Sequence, residues 1–130
     1  MAQGKVYKAI YLALKNWYEP TREGLDLFNR MLTPRQFGFA ANLPIIDSRI
    51  AINRMLSYYI EQLGRLQPLL AQILFRRFQH QESIKQIAYK LKISEDHLNR
   101  GQKTAIIYLV GLIDDEEMRQ RADQAEVLEK

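Results

Sequence analysis

Apolar residues return along most of the chain every three to four positions, the spacing of a helix that buries one face. Val6, Ile10, Ala13, Leu14 and Trp17 predict a first helix over residues 5–18. The Glu19-Pro20 pair ends it, because proline disfavours helical geometry in the residue before it. Thr21 as a cap, with Leu25, Phe28, Met31 and Leu32 on one face, predicts a short second helix over 21–32, stopped at Thr33-Pro34. Residues 35–46 hold no clean period and are punctuated by Gly38 and Pro44, which reads as an irregular connector that tucks Phe37 and Phe39 into the core. From Asp47 or Ser48 as N-cap, Ile52, Met55, Leu56, Tyr59, Ile60 and Leu63 mark a helix that closes at Gly64.

Beyond Gly64 the pattern tightens into three helices. One covers 68–78 with Pro68 in its first turn, where the missing N–H costs nothing. The next covers 83–91 from the N-cap Ser83, and the last covers 94–113 from the N-cap Ser94. Only Lys92-Ile93-Ser94 separates the last two, a length that fits an angular helix–turn–helix corner. No segment carries the period of a strand, so the expected fold class is all-α. Its expected layout is one compact domain: a helical N-terminal half (1–65) packed on a three-helix helix–turn–helix unit (66–113) with an extended last helix. The tail, 114–130, has only Ala122, Ala125 and Leu128 as a thin apolar face and either continues that helix or frays.

Composition narrows the function classes. At 130 residues with 47% hydrophobic and 26% charged positions, the chain has the profile of a single globular domain. It has no cysteine and only His80 and His97, too few soft donors for a structural zinc site. The longest apolar run, 106–113, falls far short of the roughly 20 residues needed to span a bilayer. The opening Met-Ala-Gln-Gly-Lys lacks the apolar core of a secretory signal, and the expected location is the cytoplasm. A Gly-rich phosphate loop, a nucleophile elbow and a metal-ligand pair are all missing from the sequence, so neither an enzyme nor a cofactor nor a small-molecule substrate is expected. The carboxylate run Asp114 to Glu117 reads as a solvated helix boundary, and His80 as a surface turn residue.

Charge is unevenly spread. Residues 1–65 carry nine Lys/Arg against five Asp/Glu, 66–113 carry seven against three, and 114–130 carry three against seven. A basic body with an acidic tail suits a polyanionic partner.

The stretch with most information is Ser83 to Lys103. Ile84, Ile87, Leu91, Ile93 and Leu98 sit where two helices must close on a tight turn, and Ala88 is the small residue that a steep crossing needs. Together with Leu66 to Phe78, which ends in Arg77-Phe78, and with Lys103, Ala105 and Leu109 further on, this third of the chain resembles region 4 of bacterial sigma factors. That family lays its recognition helix in the major groove of promoter DNA. The resemblance implies duplex DNA as partner, read by the exposed positions of the last helix, among them Glu95 and Asp96. Chemistry supports base contacts by His97, Asn99, Arg100 and Lys103, since asparagine and arginine can bind adenine and guanine edges bidentately. Lys85, Lys90 and Lys92, with Arg76 and Arg77, are placed to hold backbone phosphates.

The sequence departs from the family in several ways. Glu95 and Asp96 suit the helix dipole but face the phosphates. Gly101 replaces an aliphatic residue, at a cost of about 1 kcal/mol in a helix interior. Lys92 stands where a small residue, often glycine, takes the left-handed turn. Residues 1–65 lack the aromatic, basic helix with which sigma factors melt promoters. The layout also resembles the N-terminal helix–turn–helix modules ahead of bacterial signal-transduction ATPases. A second stripe on the last helix, Ile106, Val110 and Ile113, needs its own partner: either the N-terminal helices or another protein surface, such as a second copy in a homodimer. The rival to DNA binding is therefore a protein-interaction module that kept the corner.

Overall fold

A computed structural model describes residues 3–129. Among these residues the chain is all-α, with helices α1 (Gln3–Lys15), α2 (Ile45–Leu66), α3 (Pro68–Leu74), α4 (Ile84–Leu91) and α5 (Glu95–Glu129). Two 3₁₀ turns, Asp26–Arg30 and Thr33–Phe37, link α1 to α2, and a π-helical turn at Phe75–Gln79 prolongs α3.

The long last helix organises the rest. Ala105, Ile106, Leu109, Val110 and Ile113 of α5 share one core with Val6, Ile10 and Leu14 of α1 and with Ile52, Leu56 and Leu63 of α2. Each such aliphatic side chain contributes roughly 1.5–3 kcal/mol on burial. Ile106, Val110 and Ile113 are thus buried inside the monomer and are not a face for a second copy. The N-terminal helices satisfy the second stripe because α1 and α2 both pack along α5. A smaller core, Ile73, Ile87, Ala88 and Leu98, closes α3, α4 and the start of α5 on one another.

Several boundaries differ from the sequence expectation for tertiary reasons. α1 stops at Lys15 because α2 supplies its cap: Arg49 donates to the carbonyls of Ala13, at 2.8 Å, and Asn16, while the Asn53 amide donates to Trp17 O at 2.9 Å. The expected helix over 21–32 is a set of turns. Gly24 lies at φ +80, and a Cβ there would stand 2.8 Å from Leu12 Cβ, so the chain passes too close to α1 for a helix. Leu25, Phe28 and Met31 still point inward as their spacing predicts. α2 begins at Ile45, straight after Pro44, and runs through Gly64 to Leu66, so Ser48 is a buried interior residue and neither it nor Gly64 caps. Phe39 is buried and Phe37 is half-buried, packing against Tyr58 and Tyr59.

The acidic tail continues α5 as helix, 35 residues in all. The run Asp114 to Glu117 is not wholly solvated, since Glu117 is only 5% exposed. Its carboxylate accepts from the N–H of Leu32 and Thr33 and from the Thr33 hydroxyl, all near 2.9 Å, and so caps the Thr33–Phe37 turn. Arg121 pairs with the same carboxylate at 2.9 Å and donates to Arg30 O. Burial alone would raise the Glu117 carboxyl, but these donors and Arg121 hold it below its ordinary value.

Candidate nucleic-acid interface

The corner from α4 to α5 is built by local capping. Ser83 Oγ accepts from Gln86 N at 3.1 Å and Gln86 Oε1 accepts from Ser83 N at 2.8 Å, a complete capping box that fixes where α4 starts. α4 stops at Lys92, which adopts φ 58, ψ 44. Its N–H donates to Tyr89 O at 3.3 Å, and the N–H of Ile93 donates to Ala88 O at 3.1 Å, the paired closure of a Schellman turn. A lysine in this left-handed region costs roughly 1–2 kcal/mol relative to glycine. Those two hydrogen bonds, and the packing of Ile93 against the small core, offset the cost. Ser94 then starts α5 by accepting from His97 N at 3.0 Å.

Two small residues let the helices meet. Ala88 is buried where α4 lies against α5. Gly101 is buried as well, and a Cβ on it would come within 2.8 Å of Ile73 Cδ1. Glycine at this point therefore serves the approach of α5 to α3, which offsets its conformational cost in a helix.

Beyond the corner, His97, Asn99, Arg100 and Lys103 are all exposed on the first turns of α5. Among the described residues nothing holds their side chains. Asn99, Arg100 and Lys103 recur at three- and four-residue spacing and share one face. Glu95 and Asp96 are also exposed, on the N-terminal turn of the same helix.

The five expected phosphate ligands divide into two groups. Lys85 and Lys92 are exposed on the surface of the corner. The other three are already engaged around Glu82: Lys90 Nζ lies 2.7 Å from its carboxylate, Arg76 Nη1 lies 3.3 Å from it, and Arg77 Nη1 donates to its backbone carbonyl at 3.3 Å. His80 Nδ1 stands 3.8 Å from the same carboxylate. The hydrogen bond from Lys90 is the main reason that the Glu82 carboxyl lies below its ordinary value; desolvation opposes it, and the charges of Lys90 and Arg76 add to the lowering. His80 is exposed, as a turn residue should be, and its ring lies 4.2 Å from that of Phe75.

Two features of the site escape the helical pattern. Glu82 is the one acidic residue between Glu61 and Glu95, a signal readable in the sequence once the cations at 76, 77, 85, 90 and 92 are set beside it. Tyr89, which by spacing alone passes for an ordinary helix-face residue, is 87% exposed on α4, four residues after Lys85 and three before Lys92.

Among the described residues no group of three His, Asp or Glu side chains is placed to hold a metal ion. Among the same residues no helix is long and apolar enough to cross a membrane. No protein-family model, curated protein or solved structure matches the chain.

Proposed function

We propose that this protein is a regulatory DNA-binding module that docks the start of α5 in the major groove of duplex DNA. The carrying observation is the set of exposed side chains His97, Asn99, Arg100 and Lys103, which project from a helix held rigid by a capped, close-packed corner. Lys85 and Lys92 flank them and anchor phosphates, which set the register of the helix without reading sequence. The resemblance of residues 66–109 to sigma region 4 points the same way, and the bidentate chemistry of asparagine and arginine favours Asn99 and Arg100 for base readout.

Glu95 and Asp96 and the exposed apolar side chains of Ile107 and Tyr108 favour a second reading, docking of a protein partner on the same helix. Fluorescence anisotropy with random-sequence duplex at two salt concentrations about fourfold apart separates the two. The DNA reading expects micromolar binding that weakens steeply with salt. Absence of binding at the lower salt would remove it and leave the protein-docking reading.

A further inference from the structure

We propose that Glu82 is an internal competitor for the DNA backbone, its carboxylate occupying on Arg76 and Lys90 the place that a phosphate would take. This inference rests on the DNA-binding reading above and adds to it a residue that sets how much of the protein's charge a duplex can use.

The argument starts from charge. Residues 76–92 hold Arg76, Arg77, Lys85, Lys90 and Lys92 and a single acid. That acid is not spread among the five but is clamped by two of them, with Lys90 Nζ at 2.7 Å on Oε1 and Arg76 Nη1 at 3.3–3.4 Å from both oxygens. A carboxylate and a phosphate offer the same charge-assisted acceptors to lysine and arginine. A phosphate approaching this face therefore meets two cations that already share one negative charge, and can use both in full only by displacing Glu82.

The consequence is selective. Each cation that neutralises a phosphate releases counterions and steepens the salt dependence on every sequence alike. Holding Arg76 and Lys90 back lowers affinity for arbitrary duplex and leaves Asn99 and Arg100, which touch no part of the clamp, to discriminate between sequences. The connector itself does not depend on the carboxylate alone. Glu82 N donates to Arg76 O at 2.9 Å, and Arg77 is held by the backbone carbonyl of residue 82.

The test compares the wild-type chain with Glu82→Gln on random duplex across a salt series. The glutamine keeps the size and an acceptor oxygen but loses the charge. The expected result is binding tighter by about fivefold or more at low salt and a log–log salt slope steeper by about 1–2. Adding Lys90→Gln should cancel most of that gain. Asp115→Asn, an equal change of net charge roughly 22 Å along α5 from Arg100 at 1.5 Å per residue, should shift affinity less than about twofold. In the wild-type chain, the ¹³C shift of the Glu82 carboxyl should move when duplex is added, a readout that needs no variant to fold. Wild-type binding with an unchanged or weaker Glu82→Gln, at equal helicity and Tm, or a carboxyl shift that stays still on binding, overturns the competitor role and leaves the DNA reading standing. No binding by either protein overturns the DNA reading, and this inference with it.

Discussion

At the scale of single residues, two substitutions separate packing from recognition. Gly101→Ala would place a methyl 2.8 Å from Ile73 Cδ1, in a core that also holds Ile87 and Leu98. The atom it meets is the free end of the Ile73 side chain, so a small shift of that chain relieves most of the overpacking, and the roughly 1 kcal/mol of helix propensity that alanine brings back offsets the rest. Urea denaturation should show a change of less than about 1 kcal/mol, and a loss of about 3 kcal/mol or more would mean that Ile73 has no room to yield. Arg100→Ala should leave stability unchanged. It should weaken preferred DNA sites by about 1–3 kcal/mol and relax specificity, whereas Lys85→Ala should weaken all sequences alike and lower the salt slope by about one. Equal losses for both variants on every sequence would remove the division between readout and anchoring. Lysine 85 is the better probe of anchoring than Lys90, whose charge already serves Glu82.

At the scale of elements, what was legible in the sequence is what local chemistry decides. The caps Ser83 and Ser94 announce α4 and α5 because each bonds an N–H three residues away. The inward positions Leu25, Phe28 and Met31 were legible for the same reason, as spacing alone sets them. The helix proposed around them was not, because Gly24 against Leu12 is a contact between segments that no window of sequence contains. The start of α2 was misplaced likewise: Ser48 and Arg49 look like exposed polar residues, yet Arg49 is drawn inside to cap α1 across more than thirty residues. Glu117 is the clearest case, a carboxylate within an acidic run whose acceptors serve Leu32 and Thr33. Its folded-state pKa is depressed, so it contributes stability that is full above the ordinary carboxylate range and is lost as pH falls through the folded value. Glu117→Gln should therefore be less stable than the wild type by about 2 kcal/mol at pH 7, and the gap should close as both proteins are taken below about pH 4. A gap that is constant with pH would mean that the charge of Glu117 does not hold the Thr33–Phe37 turn.

At the scale of the whole molecule, α5 joins two tasks on one rigid rod. Its middle is buried against α1 and α2, its first turns carry the exposed polar face, and residues 122–128 are exposed. Anything that fixes the body thus also fixes the orientation of His97, Asn99, Arg100 and Lys103, without a hinge between them. The N-terminal half, whose sequence offered no function of its own, acts as the brace that covers Ile106, Val110 and Ile113. A stripe that the sequence left between the N-terminal helices and an outside partner finds its partner within the chain, because the fold brings α1 beside α5 from about a hundred residues away.

The central claim is that the start of α5 and the corner before it meet duplex DNA. Amide ¹H–¹⁵N spectra titrated with random duplex at low salt test it residue by residue. The account predicts shifts concentrated in residues 83–104, with Lys85, Lys92, Asn99, Arg100 and Lys103 among the strongest, and α1 and α2 unmoved. Spectra that do not change, or changes centred on Ile107, Tyr108 and the helices behind them, would contradict it.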